Sequence, residues 1–214
     1  VGHDWPVDNV ALEGEKVRLR DWRPSDIRSL RDLLDPARPW HRTNGPYFGL
    51  PTAADTESAA LKLTTAESEL PDPRSSLAVT DLSDGRLIGQ VSWYWESRQT
   101  DWRRLGLAIY DERYWNGGFG TEALRLWTTY LFSRTDALRL DFATFSGNPG
   151  MIAVGRRLGF VEEGRFRRAR RWSGGVHDAV VYGVLREEWE QMNGTRPRSP
   201  GPRPHHPSDV SDAT

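Results

Sequence analysis

The run Tyr114-Trp115-Asn116-Gly117-Gly118-Phe119-Gly120-Thr121-Glu122-Ala123-Leu124 joins a strand-like segment, Leu105 to Tyr110, to an amphipathic helix from Thr121 to about Arg134. This junction constrains the chain more than any other feature. Gly117, Gly118 and Gly120 leave several backbone N–H groups uncovered by side chains. The N-terminus of the following helix adds roughly half a positive charge. Together they suit a phosphate or pyrophosphate. No Gly-Lys-Ser/Thr is present, which excludes a nucleotide-triphosphate P-loop. A dinucleotide loop would need Gly-x-Gly-x-x-Gly with an acidic residue about 20 positions on. Here Leu138 to Asp141 already lie in the next strand. A plain turn is the bland alternative, but three glycines before a helix exceed what a turn needs.

A second segment narrows the choice. Asn148-Pro149-Gly150-Met151-Ile152-Ala153-Val154-Gly155-Arg156-Arg157-Leu158-Gly159-Phe160 follows a strand from Leu138 to Phe145. It reads as a short helix with an Asn cap and a glycine stop. With these two motifs the chain resembles the GNAT acyltransferases, and among them the RimJ/RimL-type N-acetyltransferases. The family's Gln/Arg-x-x-Gly-x-Gly/Ala loop matches Trp115 to Gly120, with Trp115 in place of the basic or amide residue. Its Asn…Leu-Gly-Phe helix matches Asn148 to Phe160, and Lys16 to Asp26 is similar to its first strand and helix cap.

The resemblance implies an α/β (α+β) fold: a mixed, mostly antiparallel twisted sheet of about seven strands flanked by helices. It covers residues 16–192. Residues 1–15 read as an N-terminal arm and 193–214 as a disordered tail rich in Pro, Ser and His. Hydrophobic alternation puts strands at Val17 to Arg20, Leu77 to Leu82, Arg86 to Glu96, Arg104 to Tyr110, Val161 to Trp172 and Val176 to Leu185. Ser25 is expected to cap a first helix, and Thr52 to about Ser68 to form a second.

Other function classes recede. The formal net charge of −1 gives no general attraction to nucleic acid. The absence of cysteine rules out disulfides and thiolate metal sites, and no His/Asp/Glu cluster has metal-ligand spacing. No apolar run approaches the ~20 residues of a membrane span. A cytoplasmic protein without a membrane partner is expected, and a homodimer is left open.

The resemblance implies acetyl-CoA as acyl donor and an amine-bearing acceptor, either a small molecule or a protein N-terminus. Backbone groups of Leu107, Ala108, Ile109 and Tyr110 would pair with the pantetheine amides. N–H groups around Trp115, Asn116, Gly117, Gly118, Phe119, Gly120 and Thr121 would hold the pyrophosphate. Asn148 would bond the pantetheine arm, or serve only as a helix cap. Many family members carry a Tyr seven residues after that Asn as the acid; here the position is Gly155. Its lack of a side chain makes room for a larger acyl group or for a neighbouring residue. Glu96 is the first candidate for the base that takes the amine's proton, and His41 the second. Trp22, Trp40, Trp93 and Trp95, with Tyr47 and Phe48, would wall the acceptor. Arg165, Arg167, Arg168, Arg170 and Arg171 form a basic strand that reads either as an anion-facing surface or as a charged sheet edge. A GNAT domain that binds a CoA-like or other acyl carrier without catalysis is the alternative kept open by Trp115 and Gly155.

Overall fold

The computed structural model describes residues 10–44, 51–64 and 70–194. The expected tail from 195 on, and the acceptor candidates Tyr47 and Phe48, lie outside them. The strands are β1 (Ala11–Glu13), β2 (Val17–Arg20), β3 (Ser76–Asp81), β4 (Leu87–Ser97), β5 (Trp102–Ile109), β6 (Arg139–Phe145), β7 (Val161–Trp172) and β8 (Gly175–Leu185). The helices are α1 (Ile27–Leu33), α2 (His41–Asn44), α3 (Ala53–Thr64), α4 (Phe119–Arg134), α5 (Pro149–Arg157) and α6 (Arg186–Asn193).

All eight strands form one sheet in the order β1-β2-β3-β4-β5-β6-β8-β7. The eighth comes from the segment expected to be an arm: Ala11 to Glu13 pair with Arg18 to Arg20. Three residues are too few for alternation to announce a strand. What holds this one is distant in sequence. The Glu122 carboxylate accepts the N–H groups of Glu15, Lys16 and Val17 at 2.7, 2.7 and 2.8 Å. Ser25 is not the cap of the first helix. Pro24–Asp26 form a 3-10 turn, and Asp26 accepts the Arg23 N–H at 2.9 Å and both terminal nitrogens of Arg20 at 2.7 Å.

Two apolar layers sandwich the sheet. On one face, α4, α5 and α6 pack on Val17, Leu19, Val79, Val91, Leu105, Leu140, Phe142 and Val180 around Trp127. On the other, α1 and α3 cover Ala78, Leu87 and Tyr110 together with Trp40. Every neighbouring pair of strands is antiparallel except β5 and β6. These two run parallel and pair only at Arg103↔Leu140 and Arg104↔Asp141. Beyond that point they part, so the sheet splits between Leu105–Ile109 on one side and Phe142–Phe145 on the other.

The closed end of the split is tied by a carboxylate with no solvent exposure. Asp141 accepts from Trp102 Nε1 (2.6 Å), Arg104 Nε (2.9 Å) and Arg139 Nη2 (3.4 Å). A buried carboxylate needs such partners, since removing them would leave an uncompensated charge. The strands are therefore fastened at one end and free at the other.

Candidate active site

The glycine loop sits beyond the open end of the split. Asp111 caps the short turn Glu112–Tyr114, the chain reverses through Asn116 (φ 60°) and Gly118 (φ 88°), and α4 begins at Phe119. Gly118 is where glycine is required by conformation: a positive φ costs any other residue roughly 1–2 kcal/mol. The first backbone bond of α4 is Glu122 N–H to the Gly118 carbonyl, at 3.0 Å. The six N–H groups from Asn116 to Thr121 have no acceptor among the described residues. Free N–H groups in such a row are able to bind an anion.

The basic residue that the loop lacks at Trp115 is supplied from elsewhere. Lys16, at the β1–β2 turn, places its ammonium 2.7 Å from the Gly117 carbonyl and over the Phe119 ring. It polarises the Gly117–Gly118 peptide toward a more acidic N–H on the opposite side. Lys16 was not a site candidate by sequence, because nothing local links it to a loop 101 residues away. Glu122 holds it there. Burial raises the carboxyl pKa, but the N–H bonds from Glu15, Lys16 and Val17, with the Arg125 charge, more than offset this and hold it below the usual range.

Trp115 has a different role from the family's polar residue. Its Nε1 donates to the Ile109 carbonyl at 2.8 Å, which ties the loop to the end of β5. The Tyr110 N–H donates to Ile88 in β4 at 2.8 Å, and a Cβ on Gly89 would collide with the Ala108 carbonyl. Ala108 and Tyr110 thus turn their backbone groups toward β4. By alternation, Leu107 and Ile109 turn theirs into the split. The expected backbone donors and acceptors divide accordingly: Leu107 and Ile109 face the gap, and Ala108 and Tyr110 do not.

Asn148 is a cap in the strict sense. Its Oδ1 accepts the Met151 N–H (3.0 Å), and its Nδ2 donates to the Thr43 carbonyl (3.0 Å). That second bond fastens α5 to α2. Trp172 Nε1 reaches the Arg42 carbonyl at 3.1 Å, and Trp40 stands 4.8 Å from the Tyr110 ring. The α2 segment therefore touches elements from both sides of the split.

Gly155 does not open a hollow. A Cβ there would lie 2.5 Å from Phe142 Cζ, so the missing side chain accommodates Phe142, a fully buried core ring. The idea of a larger acyl pocket at Gly155 is corrected by this packing.

The two base candidates both lie toward the helix-covered face of α1 and α3 but are differently engaged. Glu96 lies at the closed end of the split, ion-paired with Arg104 at 2.7 Å, and Arg104 also binds Asp141. His41 is 3% exposed; its Nε2 lies 3.2 and 3.1 Å from the carbonyls of Leu34 and Asp35, just past α1. Two carbonyl neighbours call for an N–H at Nε2, while the buried Nδ1 has no hydrogen-bond partner among the described residues.

The four tryptophans do not converge. Trp22 and Trp40 pack on the α1/α3 face, with Trp22 Nε1 bonded to Ser76 Oγ at 3.1 Å. Trp93 and Trp95 project from the opposite side of β4, where their rings flank the Arg103 guanidinium at 5.3 and 4.2 Å. Residues two apart on a strand share a face, which groups Trp93 with Trp95; the partner across that face decides their use. In the β7 basic run, Arg165 pairs with Glu162 and Asp178 at 2.7 and 2.9 Å. Among the described residues no group of three or more His, Asp or Glu could hold a metal, and no helix is long and apolar enough to cross a membrane.

A split between parallel strands with free N–H groups at its mouth can take an extended ligand that ends in an anion, and the family match makes the protein an acyl-CoA-dependent N-acyltransferase. The family model for the acetyltransferase (GNAT) domain matches residues 16–161, and the chain belongs to that family, in its RimJ/RimL-type branch. It is 32% identical over 184 residues to YdaF of Bacillus subtilis (strain 168), provisionally named a ribosomal N-acetyltransferase, covering 82% of this chain and 94% of that protein. The fold is shared with a GNAT-family acetyltransferase from Bacillus anthracis: TM-score 0.67, 17% identity, 84% of this chain and 100% of that one. It is shared too with RimL, a ribosomal L7/L12 alpha-N-protein acetyltransferase solved with coenzyme A: TM-score 0.63, 17% identity, 82% and 98% covered.

Proposed function

We propose that this protein transfers an acetyl group from acetyl-CoA to a primary amine, with a protein N-terminus as the favoured acceptor class. The observation that carries the reading is the row of six free N–H groups, Asn116 to Thr121, at the mouth of the β5–β6 split. The names of YdaF and RimL support the choice of acceptor class. Phe142 filling the space at Gly155 supports acetyl over a longer acyl group.

Acyl-CoA, when bound, supplies an activated thioester; the protein's residues supply the rest. The N–H groups of Asn116 to Thr121 neutralise the pyrophosphate, with Lys16 behind them. Leu107 offers N–H and carbonyl to the pantetheine amides in the manner of an added strand, and Ile109 offers its N–H, since its carbonyl already holds Trp115. Leu105 to Ile109 give about 13 Å of strand at ~3.3 Å per residue. The arm running inward from the loop therefore brings the thioester toward Gly106, near the closed end.

An amine is protonated at neutral pH and attacks only after losing a proton. Glu96, oriented by Arg104, takes that proton through water from the closed end of the split. His41 is the second candidate, through Nδ1, which has no hydrogen-bond partner among the described residues. The test is release of free coenzyme A and a 42-Da mass gain (about the mass of one acetyl replacing hydrogen) on peptides, polyamines or amino sugars incubated with acetyl-CoA. Gly118→Val serves as the site control, with coenzyme A affinity falling by much more than tenfold in a folded variant. Binding of coenzyme A without turnover on any amine would favour a non-catalytic carrier-binding domain.

A further inference from the structure

Among the described residues, Gln90 Oε1 is a buried side-chain acceptor with no hydrogen-bond donor, and the buried His41 Nδ1 also has no partner. A buried unsatisfied polar atom costs a folded protein about 1–3 kcal/mol, so it calls for a reason.

Gln90 stands in the middle of β4. Its direct partners are Ala78 on β3 and Ala108 on β5, and partners across a ladder share a face. Both alanines pack in the layer containing Trp40 and Tyr110, so the carboxamide projects toward α1 and α3, the side on which His41 lies. The next residue on that face of β4 is Ser92, whose partner on β5 is Gly106; a Cβ on Gly106 would collide with Ser92 Oγ. On the split side, the ladder partners of Gln90 and Ser92 are the small residues Ala108 and Gly106, one strand spacing away at ~4.8 Å.

From this arrangement we infer that Gln90 receives the acceptor: its Oε1 accepts an N–H of the incoming primary amine and aims the nitrogen lone pair across Gly106 at the thioester carbon. The inference rests on the reading of the protein as an amine acetyltransferase and identifies the residue that positions the acceptor. An amine suits the site because it brings N–H donors to an unmet buried carboxamide oxygen. Gln90 is a substrate-positioning group, distinct from the base that removes the proton. The arrangement also makes Gln90 costly to the empty protein, since its oxygen is satisfied only when the acceptor is bound.

The experiment compares wild type with Gln90→Leu, which removes the carboxamide at similar size, and Gln90→Glu, which keeps an acceptor oxygen. The probe is whichever amine in a panel of peptide N-termini, polyamines and amino sugars wild type acetylates fastest. Gln90→Leu should raise the KM for that amine on the order of tenfold, leave the Kd for acetyl-CoA within about twofold, and raise the Tm by several degrees. Gln90→Glu should recover a large part of the amine KM. An equal loss of acetyl-CoA affinity would overturn the proposal by moving Gln90 to the donor side. A lowered Tm with loss of activity would overturn it as well, by making the carboxamide structural. Absence of acetylation of any amine by wild type that binds acetyl-CoA would instead reject the functional reading beneath it.

Discussion

Replacing Glu122 by alanine tests how far the loop depends on a contact outside it. The carboxylate is 11% exposed and holds three N–H groups of the β1–β2 turn at 2.7–2.8 Å. Hydrogen bonds to a charged group contribute about 1.5–3 kcal/mol each. Those of Glu15 and Lys16 are surface bonds that water can replace, and only Val17 is partly buried. The expected loss for Glu122→Ala is therefore about 2–4 kcal/mol, well below the sum of three full bonds. For a domain of this size that corresponds to a Tm lower by roughly 5–15 °C. Freed from the clip, Lys16 no longer stays on the Gly117 carbonyl, and coenzyme A affinity should fall by about three- to tenfold. Urea unfolding and titration calorimetry read the two effects. The pH dependence has a defined sign. The folded pKa of Glu122 lies below its unfolded value, so its contribution is complete above about pH 4.5 and disappears as pH falls through the folded pKa. The stability gap between wild type and Glu122→Gln should close over that acid range. A loss under about 1 kcal/mol with unchanged coenzyme A affinity would refute the clip.

Glu96→Gln should lower kcat with little change in the KM for acetyl-CoA, least at high pH where more amine is already neutral; wild-type rates at every pH would pass the role to His41. Gly155→Ala places a Cβ 2.5 Å from Phe142 Cζ, so overpacking of about 1–3 kcal/mol should outweigh the helix gain of up to ~1 kcal/mol. Calorimetry should show a lower Tm, and Phe142→Leu in the same chain should restore part of it. Glu162 is hydrogen-bonded by Arg165 at 2.7 and 2.9 Å and by Tyr182 at 2.6 Å, which pulls its pKa down to about 2. Its stabilisation, on the order of 1–3 kcal/mol, should be present above about pH 4.5 and fade between pH 4.5 and 2. In Glu162→Gln that part of the acid transition should be missing from urea midpoints measured across pH.

The cofactor loop and the α5 cap were legible because their signals are local. Three glycines, a following amphipathic helix and an Asn before Pro lie within a few residues of one another, and the backbone geometry they imply does not depend on distant contacts. Strand positions came out within a few residues for the same reason. Face assignment among the tryptophans failed. Period-two alternation groups Trp93 with Trp95 but does not say which layer lies above them, and the sheet turned them to Arg103 instead of Trp40. Of the two readings of Gly155, room for a ligand or for a neighbouring side chain, the structure takes the second, and the sequence could not choose because the ring that fills the space, Phe142, arrives from another strand.

By itself the amino-acid sequence determined the parts that need only neighbouring residues: the glycine-rich backbone at Asn116 to Thr121, the helix that follows, the cap at Asn148, and through them the family. The tertiary structure alone decided what depends on residues far apart in the chain. It parted β5 from β6 beyond Arg104, clipped β1 and Lys16 to α4 through Glu122, and left Gln90 Oε1, opposite Ala108, without a donor. Each of these turns on a register, a face or a charge pairing that is set only when separate segments pack. A carboxylate in one helix and three N–H groups about a hundred residues earlier carry no shared local pattern. Their meeting follows from the closing of the sheet against α4.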